Sequence, residues 1–399
     1  VAHLIESLGA GGAERLLYTN LKHLDARRFR STVVTVFAQP DHWAEPIRDL
    51  GVPVVTLGCG GLRDLPKGVA RLRRLLRDDP QDLLHTHLWA ANVIGRVAGR
   101  LAGVPVISSV HNPDHEPEAW GDGADVSGWK RYSSLALDRW TTRFGCEGMV
   151  AVSEYVRRYA ARRLKFPPDR IELIYNPIDV EALAPASAPA RAELFDGLGI
   201  GPESLVLLNV GRVSPQKGLL YAVRAMPAVL ARHPSAHLVS AGPTSDGAWL
   251  AKLESEAAAL GVAERVHFLG ARRDVTELLR ACDLFVFPSL YEGLGIALVE
   301  AMAVGCACVA ARTGPIPEVV THGRDGWLVP AADAGALAEA VCALLDDPGR
   351  REALGRAARE SALARFQPQA AADKLAAAYE AVVARTRGRA GLARPGAGE

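Results

Sequence analysis

Two glutamates and two cations stand at spacings that suit a phosphorylated, hydroxyl-rich ligand. In the segment Pro288-Ser-Leu-Tyr-Glu292-Gly-Leu-Gly-Ile-Ala-Leu-Val-Glu300-Ala-Met-Ala-Val-Gly305, the run from Gly295 to Val304 reads as a helix that is apolar on every face except at Glu300. A helix that is apolar all round is buried, and a buried carboxylate is rare without something to pair it. Helical side chains lean towards the N-terminus, so Glu300 points back at the glycine-rich mouth where Glu292 lies. Two carboxylates placed so make good acceptors for hydroxyls, one from a ribose and one from a sugar ring. Gly293, Leu294 and Gly295 leave backbone N–H groups open to phosphate oxygens. The competing structural reading is a core glutamate held by an internal arginine.

The cations follow Asn209-Val-Gly211, where a strand ends. Arg212 falls at its carboxyl edge, and Lys217, in Val-Ser-Pro-Gln-Lys217-Gly218, at the start of the next helix. Ligands of open α/β sheets bind at that edge. Two cations beside a helix N-terminus suit a diphosphate and offset leaving-group charge without a metal; the plainer reading is two surface cations on a loop. A third candidate is Gly9-Ala-Gly11-Gly12-Ala-Glu-Arg15, between the first strand and the first helix. It is either a phosphate-approach loop or merely a tight turn. Val36-Phe37-Ala38-Gln39 offers no acidic residue at the end of the second strand, which argues against a nicotinamide dehydrogenase.

Short apolar runs alternate with helical patterns along the chain, which predicts parallel sheets wrapped by helices. The series restarts near residue 200 after the small, proline-punctuated stretch Leu183–Ala190. The expected organisation is α/β throughout: a first doubly wound domain over 1–182, a linker over 183–200 and a second over 201–367. A helix over 368–384 is expected to pack back on the first domain, followed by a disordered tail over 385–399.

Bulk properties narrow the class. The 399 residues carry a net charge of +1 and are 49% hydrophobic, with mean hydropathy +0.07. That is the balance of a globular enzyme with no global electrostatic case for nucleic acid. The six cysteines form no CxxC pair and read as reduced, buried thiols. No apolar stretch approaches the ~20 residues of a membrane span, and Val1–Ile5 already reads as a strand, so a cytoplasmic protein is expected. The missing initiator Met suggests a few residues absent upstream.

The sequence resembles the GT4 family of retaining glycosyltransferases, whose fold is GT-B: two doubly wound Rossmann-like domains facing each other across a cleft. Glu292 and Glu300 carry that family's Glu-x7-Glu motif. The loop at 11–15, Val152-Ser-Glu154, Tyr175-Asn-Pro-Ile-Asp179, Gly211-Arg212…Lys217-Gly218 and Gly314…Pro317-Glu318 follow in its usual order. The resemblance implies that Arg212 and Lys217 hold the donor diphosphate, Glu300 the ribose, and Glu292 a hydroxyl of the transferred sugar. Backbone amides around Gly293, Leu294 and Gly295 complete that site, and Leu269 joins the donor-binding set. Gly11 and Gly12 close over the donor from the first domain, and His111 resembles the family's histidine beside the donor sugar. Leu294 departs from the Phe of many members.

The implied activity is a metal-independent hexosyl transfer with retention, from a nucleotide sugar (UDP- or GDP-sugar) to a hydroxyl acceptor. The acceptor is a glycan, a lipid-linked glycan or a small glycoside, as in bacterial cell-surface polysaccharide or glycolipid synthesis, with no cofactor. Its choice is assigned to first-domain loops such as 112–129. Two other readings compete: a sugar-nucleotide epimerase of the same architecture, and a non-catalytic nucleotide-sugar-binding module.

Two weaker signals remain. His85-Thr-His87 places two imidazoles on one strand face, but no Asp, Glu or Cys at matching spacing completes a metal site. They are read as structural, with His87 a lesser candidate for lining the acceptor cleft. Val69–Arg77, Trp129–Tyr132 and Tyr155–Lys165 mix cations with apolar or aromatic residues, as segments on an anionic membrane surface do, so peripheral contact with the inner membrane face is a secondary expectation. Solvated faces are the first reading, because residues 1–179 carry only +3 and the remainder −2.

Overall fold

A computed structural model of the chain describes residues 1–9, 11–116, 128–179, 183, 191–244 and 246–392. It divides into two compact units, one of Val1–His115, Asp125–Pro177 and Pro368–Glu399, the other holding Ile178–Gln367.

The first unit is built on β1 (Ala2–Ile5), β2 (Thr32–Phe37), β3 (Val54–Cys59), β4 (Leu84–His87), β5 (Val106–Val110), β6 (Gly148–Ala151) and β7 (Ile171–Leu173). They form one sheet in the order β3-β2-β1-β4-β5-β6-β7, every pair parallel. Its helices are α1 (Gly12–His23), α2 (Ala44–Asp49), α3 (Leu65–Asp78), α4 (Trp89–Ala102), α5 (Gly128–Gly145) and α6 (Glu154–Arg163). Strands covered on both faces read as unbroken apolar runs, and Thr-Val-Val-Thr-Val-Phe of β2 is one. Alternation then sorts the side chains: Leu4 and Val34 pack with Leu72, Ile94 and Val106, whereas Ile5 and Val33 pack with Leu17 and Ile47. Each such enclosed side chain contributes about 1.5–3 kcal/mol relative to exposure.

The second unit repeats the plan with β8 (Leu205–Val210), β9 (Ala236–Ala241), β10 (Val266–Phe268), β11 (Leu284–Phe287), β12 (Cys308–Ala311) and β13 (Trp327–Val329). The order is β10-β9-β8-β11-β12-β13, again parallel. Its helices are α7 (Arg191–Leu194), α8 (Leu219–Arg232), α9 (Gly247–Ala259), α10 (Val275–Ala281), α11 (Ile296–Val304), α12 (Ile316–Val319), α13 (Ala334–Asp346) and α14 (Pro348–Arg365). The last helix, α15 (Pro368–Leu392), belongs to the first unit, where Leu375, Tyr379 and Val382 pack on Ile107 and Val150.

Two boundaries differ from the sequence expectation. Within 183–200, residues 191–200 are part of the second unit: Leu194, Phe195 and Ile200 are buried, and Arg191 donates to Asp283 (2.8 Å) and the Ser204 carbonyl (2.7 Å). Residues 184–190 lie outside the described residues. The terminal helix continues past Ala384 to Leu392, with Arg385 reaching the Glu147 carbonyl and Arg387 paired with Asp82. These tethers outweigh the weak helix propensity of Gly388 and Gly391 that suggested a tail; 393–399 lie outside the described residues.

Each sheet reverses its strand order once, between β1 and β4 and between β8 and β11. The carboxyl edge at such a reversal is where open α/β sheets place their ligands.

Candidate active site

At the β8–β11 reversal the backbone comes first. A Cβ on Gly242 would stand 2.0 Å from the Gly211 carbonyl oxygen, so the loops after β8 and β9 touch main chain to main chain. Gly211 N–H donates to the Ala241 carbonyl (3.0 Å) and Val213 N–H to that of Pro243 (2.9 Å). Arg212 stands exposed on this edge and makes no ion pair among the described residues.

Residues 215–217 form one 3-10 turn ahead of α8, which Gly218 caps at φ +63°. The sequence reading put Lys217 at the start of the helix; it lies in this turn. A Cβ on Gly218 would meet the Pro288 carbonyl oxygen at 2.0 Å, so only glycine lets the loops after β8 and β11 close together. Leu290 N–H donates to the Gln216 carbonyl (2.8 Å), and Gln216 Nε2 to that of Tyr291 (3.0 Å).

That junction sets Lys217 Nζ 2.6 Å from Glu292 Oε1, with the two side chains 16% and 7% exposed. Lys217 Nζ also lies 5.7 Å from the Phe287 ring centroid. In the unliganded protein the ammonium is therefore already neutralised, in a setting where its charge is screened little by water. The sequence treated Lys217 and Glu292 as separate ligand contacts; the structure makes them one ion pair.

Glu300 lies on α11, itself 6% exposed among Leu298, Val299, Ala301 and Met302, which are 0–1% exposed. Gly295 caps α11 at φ +94°, and Leu294 is buried beside it. The first N–H groups of a helix lack partners within it, and the helix field there favours anions. On β8 and in the loops after β8 and β11, Asn209 Oδ1 and the hydroxyls of Ser214 and Ser289 are buried without a hydrogen-bond partner among the described residues. Such orphans call for a ligand or water. Sequence reading missed them, since single Ser and Asn residues carry no spacing signal.

Leu269 lies after β10, with its N–H donating to the Ser240 carbonyl (2.9 Å). It lines a hollow of about 360 Å³ with Leu198, Glu254, His267 and Phe268. Strand β9 separates it from the β8–β11 edge.

The first unit holds a different set. Gly11 caps α1 at an ordinary φ of −98° and Gly12 opens the helix, both exposed; Ala10 lies outside the described residues. His111 follows β5, with Nε2 3.3 Å from His87 Nδ1, and desolvation pulls its pKa down to about 4. Beneath it, parallel register aligns His3 of β1 with His85 of β4. His3, His85 and His87 are each about 1% exposed, and burial holds all three neutral, well below the usual histidine range.

One ring nitrogen from each of these three lies within 4.8 Å of the others. The sequence saw two imidazoles here and missed the third. His85 spends both nitrogens on Tyr379 Oη (2.6 Å) and Ser109 Oγ (2.8 Å), whereas His3 Nδ1 and His87 Nε2 are buried without a hydrogen-bond partner among the described residues. His87 is enclosed and lines no open surface; it backs His111 instead.

Beside His111 a small hollow of about 50 Å³ is lined by Trp89, Asn92, His111, Asn112 and Asp114, among others. Leu88, at its rim, adopts φ +72°, a conformation costly for a side chain with a Cβ. Water reaches the Asp114 side chain, yet the surrounding protein desolvates the carboxyl enough to push it up to about 7. Burial also raises Glu6, although it accepts the Ala90 N–H at 2.7 Å. Neither acid stands in a sequence motif, so neither was foreseen. Of the 112–129 loop, residues 117–127 lie outside the described residues.

The first-unit sequence matches the model of Glycosyltransferase Family 4 over residues 10–182, and the second that of Glycosyl transferases group 1 over 190–361. D-inositol 3-phosphate glycosyltransferase 2 of Catenulispora acidiphila is 32% identical over 331 residues, covering 80% of this chain and 75% of that protein. The chain belongs to the GT4 glycosyltransferases. This glycosyltransferase is also 27% identical, over 87% of its length and 88% of the relative's, to the UDP-Gal:alpha-D-GlcNAc-diphosphoundecaprenol alpha-1,3-galactosyltransferase of Escherichia coli. Among solved structures, HepE of Anabaena in complex with UDP-glucose superposes with TM-score 0.81 at 23% identity, covering 95% of this chain and 99% of that one. The fold of the glycosyltransferase is thus GT-B, with two parallel-sheet α/β domains.

Proposed function

We propose that this glycosyltransferase moves a hexosyl group from a UDP-sugar to a hydroxyl acceptor with retention at the anomeric carbon. The observation that carries the reading is the Lys217–Glu292 pair at 2.6 Å with the exposed Arg212 on the same loop, at a reversal of strand order. An entering diphosphate takes Arg212 and the outer face of Lys217, and the N–H groups around Gly293, Leu294 and Gly295 cover its oxygens. Glu300 receives the ribose hydroxyls. Glu292, paired with Lys217, accepts a hydroxyl of the transferred sugar. As the sugar–phosphate bond breaks, charge grows on the leaving diphosphate where both cations already stand, so transition-state stabilisation needs no added metal.

Gly11 and Gly12 contribute backbone N–H groups at the α1 N-terminus. His111, neutral at pH 7, serves as a hydrogen-bonding group beside the donor sugar, and Leu269 as an apolar contact. The domain boundaries proposed are those of the two units with α15 returned to the first. UDP as the nucleotide is supported by the UDP-glucose complex of HepE and by the UDP-Gal donor named for the Escherichia coli relative. A glycan, a lipid-linked glycan or a small glycoside serves as acceptor.

A thermal-shift panel of UDP-, GDP-, ADP- and dTDP-sugars tests the donor. A ligand at a hundred times its Kd adds about 2.7 kcal/mol of apparent stability, so one UDP-sugar should stand apart. NMR of the product formed with that donor reads the anomeric configuration. An inverted product, or a panel in which no nucleotide sugar stabilises the protein, overturns the reading.

A further inference from the structure

Helix α5 is amphipathic in the wrong direction for a helix that ends at solvent. Its enclosed side carries Asp138, Thr141 and Thr142. Asp138 is paired with the fully buried Arg96 (2.5 Å) and His115 (3.0 Å). Its outward side carries Trp129, Tyr132, Trp140 and Phe144, which are 74%, 68%, 56% and 39% exposed. The intervals of three, eight and four residues, bridged by exposed Ala136, place them in one stripe. At 1.5 Å per residue it runs roughly 22 Å along the helix. Trp140 and Phe144 stack on each other, with centroids 5.2 Å apart, and Leu101 at the end of the neighbouring α4 is 48% exposed. An isolated outward aromatic is ordinary; a helix-long row of them marks a surface that something covers.

The charges beside the stripe say what. Lys130 and Arg143 are exposed on α5, and Arg100 of α4 leans over the Phe144 ring at 5.8 Å. The one acid of α5 is the buried Asp138, and α4 has none. Next to α4 lies α3, which exposes Arg73 and Arg77. Tryptophan and tyrosine settle at the headgroup level of a bilayer, with lysine and arginine attracted to anionic lipid. No helix among the described residues is long and apolar enough to cross a membrane.

We propose that the outward face of α5 docks this enzyme on the surface of an anionic lipid bilayer. The aromatic row lies at the headgroup level and Lys130, Arg143 and Arg100 engage lipid phosphates. The inference is independent of the donor chemistry. It gives an acceptor carried on a lipid a surface on which to meet the first unit.

The test is sedimentation of the full chain with phosphatidylcholine vesicles prepared with and without phosphatidylglycerol, at low and high salt. The wild type should pellet with the anionic vesicles, remain in solution with the neutral ones, and be released by salt. Trp140→Ser with Phe144→Ser, and separately Lys130→Glu with Arg143→Glu, should each weaken pelleting about tenfold or more. Transfer to a water-soluble acceptor should stay unchanged in both, which shows that they fold and separates this proposal from the catalytic one. Equal pelleting with neutral vesicles, or undiminished binding by both variants, overturns the proposal. So does wild-type self-association that the same variants abolish without any vesicle binding, because the face is then an interface between copies of the chain.

Discussion

At the β8–β11 edge of the second unit, the candidate side chains are charged and set in loops closed by glycine. At the β1–β4–β5 edge of the first, they are neutral imidazoles enclosed in the sheet, with a solvent-reached carboxyl beside them. The strand plan is shared, so the difference lies in what each loop sequence permits. Gly218 and Gly242 let main chains touch and bring Lys217 against Glu292. In the first unit Leu88 turns the chain at φ +72° and His111 rests on His87. One edge sets a lysine against a carboxylate in closed loops, the other sets neutral imidazoles beside a carboxyl.

The largest test of this contrast removes the cation. Lys217→Ala should lower kcat by about 10²–10³ while donor KM moves less than tenfold, because the ammonium acts mainly on charge that develops during transfer. Initial rates with saturating acceptor read both constants. The melting temperature should fall as well, since Glu292 is left buried without its partner. A change confined to KM would reduce Lys217 to a ground-state anchor.

The junction that positions Lys217 should be nearly as sensitive. Gly218→Ala puts a Cβ at a left-handed φ and 2.0 Å from the Pro288 oxygen, and should destabilise the second unit by about 3 kcal/mol. For a unit of this size that is roughly 6–12 °C in calorimetry. An unchanged melting temperature would mean that the two loops separate at little cost, and the preset site would lose its main support.

Glu300→Gln comes next. Replacing a carboxyl acceptor by an amide should weaken UDP binding about 10–100-fold by titration calorimetry, with a smaller effect on kcat than Lys217→Ala. Affinity equal to wild type would remove Glu300 from the ribose site.

How much of this the sequence revealed depends on whether the signal is local. Glu300 was legible because a single charge interrupts an apolar helix, and both sheets because runs such as Thr32–Phe37 need two covered faces. The Lys217–Glu292 pair was not, since its partners stand 75 residues apart in separate loops that meet only after the sheet forms. His3 was missed for the same reason: register, which no local pattern specifies, sets it beside His85. Periodicity gives the aromatic stripe of α5 but not its direction, which the burial of Asp138 against Arg96 decides.

The two edges should also separate in acid. His3, His85, His87 and His111 are all held below their ordinary value of 6.5, so the folded first unit binds fewer protons than its unfolded chain just below that value. Stability then rises with pH in this window and is lost as pH falls from about 6.5 towards 4. His237 and His267 of the second unit are shifted the same way, His237 to about 4, but they are two groups against four. Hydrogen exchange at about pH 7 and about pH 5 should therefore show β1 and β4 losing protection before β8 and β11. Simultaneous loss across both sheets would mean that the buried histidines do not set the acid limit.

The smallest effect is expected where a glycine is present without being required by its conformation. Gly11 has φ −98°, open to any residue, and an added Cβ would meet only the Glu14 carboxylate, at 2.3 Å, on a side chain that can turn away. Gly11→Ala should thus leave stability within about 0.5 kcal/mol of wild type, in contrast to Gly218→Ala. Because alanine keeps the backbone N–H, donor KM separates two roles for the loop. A change of no more than about twofold means that Gly11 acts through its N–H alone. A rise of tenfold or more at unchanged melting temperature would show that ligand, rather than the fold, requires the bare Cα at the α1 N-terminus.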